Sequence, residues 1–173
     1  MVKVLGRQEL EVAGKSWFDR QWGPFQLFNT NLYWEWFSLR FFDDEEVMLF
    51  AFPRQKYFEG TYISKDGKSR RVADYLYTYH GLKTKGKSTF SYGWDIYLPG
   101  VKEERYRILP MNDRQYNGGY YEIIARISTM DGREAGYCFT ELLPGARTTG
   151  KKLNLLNHLF NRWTFAPQKA GPV

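Results

Sequence analysis

Apolar residues recur at every second position along most of this chain, and this alternation predicts β-strands. One long run is residues 32–41, where aromatic side chains occupy both alternating sets of positions. A period of two is typical of strands that have one face in a core. The same pattern predicts further strands at residues 8–12, 47–52, 57–64, 72–80, 88–98, 105–109, 120–129 and 133–143.

Turn signals separate these strands at regular intervals. Lys65-Asp66-Gly67-Lys68 and Asp131-Gly132 have the chemistry of hairpin turns, and Pro99-Gly100 separates another two strands. Since short turns join antiparallel neighbours, consecutive strands should pair. The sequence therefore predicts an all-β protein, an up-and-down antiparallel barrel of about 8–10 strands over residues 8–143 that closes its own edges.

One helix is predicted after the barrel. Leucine and aromatic residues recur at helical spacing between residues 150 and 163, and Pro167 lies beyond them. The intervening polar residues predict an amphipathic helix that packs on the outside of the sheet. The chain of 173 residues is therefore expected to form one domain, with a tail at 164–173.

The aromatic content of the chain, 18%, indicates what the barrel could hold. A barrel of about 8–10 strands can enclose one small ligand, and aromatic walls favour a hydrophobic one. Both faces of the 32–41 strand are aromatic, so the pattern leaves open which face points inward. The ligand-binding candidates are Trp17, Trp22, Trp34, Trp36, Tyr75, Tyr77, Tyr79, Tyr121 and Tyr137.

Charge and targeting signals limit which partners and which cellular location are expected. The net charge of +6 raises nucleic acid as a partner, but the basic residues are scattered in small groups within predicted turns. A mildly basic, solvated surface is the better interpretation, so no nucleic acid is expected. The single cysteine, Cys138, excludes an internal disulfide framework and fits a reducing compartment. With no signal-peptide pattern at residues 1–6 and no apolar run of about 20 residues, we expect a cytoplasmic protein without a membrane span.

The candidate chemistry is sparse. No cluster of cysteine, histidine and carboxylate residues has metal-ligand spacing, and no glycine-rich phosphate loop precedes a helix. The only histidines are His80 and His158, which makes a hydrolytic triad improbable. The expectation is therefore a protein that uses neither a metal nor a cofactor.

Three carboxylates lie among aromatic residues and are the candidate proton donors, namely Asp19, Glu122 and Glu141. Burial would raise their pKa values and keep the proton on the group. Arg20 is the candidate partner for a carbonyl or carboxylate of the ligand. The alternative is that Glu122 and Glu141 face solvent or pair with Arg126 and Arg20.

The run Gly14-Lys-Ser-Trp17-Phe-Asp19-Arg-Gln-Trp22-Gly23 is the most distinctive in the chain. As a structural corner, it would use its glycines for turns and its indoles to close one end of the core. It also resembles a motif of the lipocalin-like carotenoid hydratase family, which includes the AttH-like proteins and cyclases of the Diels–Alderase type. Residues 93–115 and 121–142 carry further matches in the family's order, so the resemblance covers about residues 8–143.

The resemblance implies a lipocalin-like barrel and a particular assembly. Family members have two barrels in tandem, and this chain resembles the second. A homodimer, or a complex with a separate first-half barrel, is therefore expected. Hydratases of the family have a histidine where this chain has Arg20, and a carboxylate on the following strand, whereas residues 47–52 contain none. Both departures count against water addition to an alkene.

The expected function is to bind a hydrophobic, unsaturated small molecule and to promote its cyclisation or isomerisation. A cyclase of this kind needs mainly a cavity that folds a polyene and hydrogen-bonds an activating carbonyl. Tyrosine hydroxyls and tryptophan N–H groups could supply those bonds. The alternatives are a non-catalytic carrier of a lipid or pigment, and an alkene hydratase of the carotenoid hydratase type.

Overall fold

The computed structural model describes residues 2–3, 9–11, 13–20, 33–52, 56–86, 88–112, 116–117 and 120–143. These residues form strands, turns and extended segments, which confirms the all-β expectation. Within them there is no helix with the length and apolar character needed to cross a membrane. The predicted helix at 150–163 and the tail at 164–173 lie outside the described residues.

Fourteen strands are formed by the described residues. They are β1 Val2–Lys3, β2 Glu9–Leu10, β3 Trp34–Phe41, β4 Glu46–Phe52, β5 Tyr57–Ile63, β6 Ser69–Arg71, β7 Leu76–Tyr79, β8 Leu82–Lys85, β9 Ser88–Ser91, β10 Trp94–Tyr97, β11 Arg105–Pro110, β12 Tyr116–Asn117, β13 Tyr120–Thr129 and β14 Glu134–Leu143.

Most of these strands belong to one antiparallel sheet. Nine of them follow the order β6-β5-β4-β3-β14-β13-β11-β10-β7, and β12 pairs with β13 beside this path. The order is an up-and-down meander in which the first long strand, β3, pairs with the last, β14. The hairpin of β8 and β9 forms a separate two-stranded sheet, as do β1 and β2.

The two edges of the sheet are joined by a short connection. Arg71 ends β6 at one edge, and Leu76 begins β7 at the other, with residues 72–75 between them. This connection can span at most about 18 Å, since an extended chain advances roughly 3.3–3.6 Å per residue. A flat sheet of nine strands would be about 38 Å wide at the usual strand spacing of about 4.8 Å. The sheet must therefore curl until its edges approach each other.

Aromatic contacts across the curled sheet show how far it closes. The ring of Phe37 on β3 lies 5.3 Å from that of Trp94 on β10 and 5.9 Å from that of Tyr77 on β7. Phe58 on β5 lies 6.2 Å from Tyr77. Among the described strands β6 and β7 do not pair, so the structure is an incompletely closed barrel whose interior is packed by side chains.

Two strand predictions were wrong in detail. Residues 88–98 do not form one strand, because the chain bends at Gly93, whose φ of +85° is rarely adopted by residues with a side chain. The first part, β9, pairs with β8, and only the second part, β10, joins the sheet. Ser69–Arg71, predicted as part of a turn, forms the edge strand β6.

The segment at residues 14–23 also differs from its predicted place. Trp17 packs edge-on against Trp36 at 6.0 Å, on the outer side of β3, rather than closing an end of the barrel. Lys15 binds Asp44 at 2.5 Å, and Arg40 donates to the Ser16 carbonyl at 3.3 Å. These contacts attach residues 13–20 to the outside of the sheet. Trp22 lies outside the described residues.

A cluster of charges holds one end of the barrel together. The side chain of Lys102, in the β10–β11 turn, is only 10% exposed and binds both Asp43 and Glu45 of the β3–β4 turn at 2.5 Å. Tyr62 on β5 donates to Glu45 at 2.6 Å, and Arg70 on β6 donates to the Gly100 carbonyl. The cluster therefore connects strands on opposite sides of the unpaired edges.

Replacing Lys102 by methionine is expected to lower the free energy of unfolding by about 1–2 kcal/mol, because two charge-assisted hydrogen bonds are lost while the side-chain stem stays. Urea unfolding followed by tryptophan fluorescence measures the change. The matched control is Lys68→Met, which removes an ion pair to Asp66 from a lysine that is 85% exposed. That change should cost less than about 0.5 kcal/mol. Equal losses in the two variants would contradict the role of Lys102 in closure.

Candidate functional site

A buried carboxyl group lies inside the barrel, on the inward face of β3. Glu35 is 1% exposed. Its side chain accepts hydrogen bonds from the hydroxyls of Tyr33 and Ser91, and from the indole N–H of Trp94 at 3.2 Å. The Tyr33 and Ser91 hydroxyl oxygens are 3.2 Å apart. A carboxyl group so removed from water and so well provided with donors is the most unusual chemical feature of the interior.

Burial determines the protonation of Glu35. It raises the pKa of the carboxyl from 4.5 to about 7, and hydrogen bonds from Tyr33, Trp94 and Tyr77 offset only part of the effect. The same burial, together with the neighbouring Glu35 charge, raises the pKa values of Tyr33 and Tyr77 well above 10. Near neutral pH, both the protonated and the ionised form of Glu35 are therefore populated, while the two phenols remain protonated.

Cross-strand register places an aromatic side chain close to this carboxyl. Tyr121 on β13 pairs with Leu142 on β14, which in turn pairs with Glu35 on β3. Two strand spacings separate Tyr121 from Glu35, or about 10 Å. Phe90 from β9 stacks on the Tyr121 ring, with 3.8 Å between ring centroids. The β8–β9 hairpin thus covers the cross-strand row formed by Tyr121, Leu142 and Glu35.

The predicted aromatic candidates divide between the two faces of the sheet. Tyr75, Tyr77 and Tyr121 are buried inside, and Tyr79 is half-buried on the same alternating set as Tyr77. The candidates on the outer face of the sheet are Trp34, Trp36 and Tyr137, and Trp17 packs against that face.

A groove on the outside of the sheet brings together several residues that the sequence had put forward. A cavity of about 370 Å³ lies beneath residues 13–20, against the outer faces of β3 and β14. The predicted candidates that line it are Trp17, Asp19, Trp36, Tyr137 and Glu141.

Two further polar candidates, Glu122 and Arg20, are exposed and are not among the groove's described lining residues. Glu122 nevertheless lies directly opposite the groove residue Glu141 in the β13–β14 register. Arg126 pairs with Glu134 at 2.9 Å, and the exposed position of Glu122 fits the solvent-facing alternative.

Glu35, Tyr33, Ser91 and Trp94 were missed as functional residues in the sequence, although a signal for Glu35 was present. In the run 33–41 the odd positions are Tyr33, Glu35, Phe37, Leu39 and Phe41, so one alternating face is apolar except for Glu35. If this odd-numbered face points inward, the Glu35 carboxylate is buried. The even-numbered positions are equally aromatic, so the sequence pattern does not show which face points inward.

Other reactive groups offer less chemistry. Burial raises the pKa of the Cys138 thiol to about 12, so it remains protonated and is a poor nucleophile. His80 binds Asp95 at 2.8 Å on the outer side of β10, and Arg107 binds the same carboxylate at 3.0 Å. In the part of the chain that the structure describes, no three histidine, cysteine or carboxylate side chains are grouped to hold a metal ion.

The stability of the protein should report the protonation of Glu35. The folded carboxyl keeps its proton up to about pH 7, whereas the unfolded one loses it near pH 4.5, so stability is lost as pH rises across this window. The free energy of unfolding of Glu35→Gln minus that of the wild type should therefore increase by about 3 kcal/mol from pH 4.5 to pH 7.5. Denaturant titrations at several pH values measure this difference. A difference that stays constant with pH would show that Glu35 does not titrate in this way.

Solved structures that resemble this fold include the following two. A protein described as an AttH from Nitrosomonas europaea is similar with a TM-score of 0.57 and 18% identity, over 69% of this chain and 41% of that chain. Kievitone hydratase from Nectria haematococca is similar with a TM-score of 0.53 and 14% identity, over 67% of this chain and 40% of that chain. The chain thus spans about two fifths of the length of these proteins. At this identity the likeness shows the fold.

The sequence of the chain shows its family. No curated protein matches the chain. The family model described as AttH-like matches residues 2–145, which cover the whole described barrel, including β3 and its Glu35. This confirms the resemblance inferred from the tryptophan-rich run and the two later motifs. The chain therefore belongs to the AttH-like family.

Proposed function

We propose that this barrel binds a hydrophobic, unsaturated small molecule and that Glu35 transfers a proton to it. The observation that supports this most directly is a fully buried carboxyl group with a pKa of about 7, surrounded by aromatic rings. A general acid works best when its pKa is close to the working pH. Burying a carboxyl group costs folding free energy, and such cost is commonly found at functional sites.

The proposed step uses only groups of this chain and water. Protonated Glu35 gives its proton to one carbon of a polarised C=C bond, whose π electrons form the new C–H bond. The adjoining carbon becomes electron-deficient, and a water molecule adds its oxygen there. The added water then releases a proton, which returns to the Glu35 carboxylate directly or through the hydroxyls of Tyr33 and Ser91. The result is hydration of the double bond with the acid regenerated.

The same acid also allows the other predicted outcomes. If the electron-deficient carbon loses a neighbouring proton to the Glu35 carboxylate instead of gaining water, the double bond is isomerised. If it is attacked by a second double bond of the same molecule, the ligand is cyclised. Hydration is favoured here because a solved protein of similar fold is a hydratase, and because Glu35 supplies the acid that residues 47–52 lack.

A non-catalytic carrier remains the alternative from another class. An aromatic interior would serve a carrier equally well, since stacking and apolar burial are sufficient for binding. A carrier does not need an ionisable group at the centre of its core, however, because burying such a group costs folding free energy without strengthening apolar binding. The position of Glu35 therefore favours catalysis over transport.

Assembly is part of the proposal. The chain spans 41% and 40% of its two structural neighbours, so we expect it to work with a second barrel, either another copy of itself or a separate chain. Exposed large apolar side chains include Phe42 and Tyr137, whose rings lie 5.5 Å apart on the outer surface. Exposed apolar patches are often covered by a partner.

Glu35→Gln is expected to lower turnover of a responsive alkene or polyene by about 10²–10⁴-fold, because the amide keeps the shape of the side chain but cannot donate an acidic proton. A panel of linear polyenes and conjugated enones, followed by mass spectrometry for a gain of water, isomerisation or ring closure, measures it. Wild-type turnover should also fall as pH rises through about 7, since the protonated form is required.

The matched control is Glu103→Gln, which makes the same chemical change at an exposed turn position. It should leave turnover within about twofold of the wild type, as surface substitutions usually have small effects. If Glu35→Gln retains full turnover, Glu35 is not the acid. If the wild type binds the panel and converts none of it, the carrier alternative is supported.

A further inference from the structure

The β8–β9 hairpin is attached to the barrel differently from every strand of the main sheet. Its two strands pair only with each other. At its base, two backbone hydrogen bonds continue the β7–β10 ladder into the hairpin, from His80 N–H to the Gly93 carbonyl at 2.8 Å and from Tyr92 N–H to the Gly81 carbonyl at 3.0 Å. The hairpin is therefore the outer end of a two-stranded ribbon that bends at Gly93 and has no lateral strand partner among the described residues. Because nothing pairs beside it, this end of the ribbon can bend away from the barrel without unpairing the main sheet.

This hairpin supplies one wall of the Glu35 site. Three successive residues of β9, Thr89, Phe90 and Ser91, are buried, although the tip of the hairpin is exposed. Ser91 donates to Glu35, and the Phe90 ring stacks on Tyr121 at an interplanar angle of 28°. Its side chains thus enter the barrel from one end.

Access to the acid requires something to move. Glu35, Trp94 and Ser91 are each at most 2% exposed, so a ligand cannot reach the carboxyl through the closed form. Trp94 is carried by β10 and Tyr33 precedes β3 directly, and both strands are paired along their length in the sheet. Among the donors to Glu35, Ser91 alone is carried by an element outside the sheet. The hairpin is the wall that moves at the lowest cost.

We propose that the Phe90 ring occupies the ligand-binding position on Tyr121. The hairpin swings out when a planar, conjugated or aromatic group of the ligand replaces this ring. This inference deepens the proposed function and rests on it. This binding position is flat and apolar. It lies about 10 Å from Glu35, because Tyr121 and Glu35 are two strands apart in one cross-strand row. A conjugated ligand stacked there extends toward the acid.

The arrangement makes Phe90 a competitor of the ligand. When the binding-competent form is a minor fraction, the apparent dissociation constant is the intrinsic one divided by that fraction. Removing the Phe90 ring frees the binding position and should raise the fraction of the binding-competent form. A larger ring should lower that fraction. The direction of each change is opposite to that expected if Phe90 were simply part of the binding surface.

The equilibrium test uses N-phenyl-1-naphthylamine, a neutral planar probe whose fluorescence increases in apolar sites. Phe90→Ala is expected to bind it about tenfold more tightly than the wild type, and Phe90→Trp more weakly. Phe41→Ala is the matched control, since it removes another buried ring at the end of the barrel that carries Lys102. Equal gains in the two alanine variants, or no gain in Phe90→Ala, would overturn the proposal. If either alanine variant fails to fold, Phe90→Leu and Phe41→Leu repeat the comparison.

A kinetic test addresses the movement itself. Gly81→Ala stiffens the base of the hairpin without a steric clash, and it should slow association of the probe about fivefold in stopped-flow fluorescence, because a gating motion limits entry. Gly14→Ala is the matched control, another glycine whose side-chain position is open. Equal association rates in both variants would refute the gating role. Probe binding involves no proton transfer, whereas the proposed acid is tested by turnover, so a failure of this inference is distinguishable from a failure of the proposed function.

Discussion

The four-residue connection between β6 and β7 is the constraint on which the rest of this structure depends. It holds together strands that are at opposite ends of the sheet order, and the sheet can satisfy it only by curling. Curling divides the surface into an inside and an outside. Because β6 and β7 are not paired to each other, side chains must complete the closure, through the rings of Phe37, Tyr77 and Trp94 inside and the Lys102 cluster at one end.

The division into two faces assigns chemistry to otherwise similar residues. Neighbours on β3 differ completely in surroundings, since Trp36 lies under residues 13–20 on the outer face while Glu35 and Phe37 point into the barrel. Burial raises the pKa of the Glu35 carboxyl, and the phenol and indole donors around it limit that rise to about 7. A residue that would be an ordinary surface carboxylate on the other face is poised for proton transfer on this one.

The inward side chains of the described strands are buried against one another, and this packing connects stability with the proposed function. Aromatic rings provide much of this core, so in our proposal the ligand replaces a protein group. We propose Phe90 as the group that the ligand replaces, because its hairpin has no lateral strand partner in the described part of the sheet. The element that completes the core would then also be the one that admits the ligand.

The sequence by itself determined the all-β class, the positions of most strands, the hairpin turns at Gly67 and Gly132, and the family, because alternation and turn chemistry are local properties. It named nine aromatic candidates without assigning them to a face, and the structure buries Tyr75, Tyr77 and Tyr121 among them inside the barrel. Only the tertiary structure decided which face of β3 points inward, since both faces are aromatic and the choice depends on the curl of the whole sheet. Ser91 and Trp94 lie 56 and 59 positions after Glu35 in the sequence. No local pattern indicates that these three side chains meet.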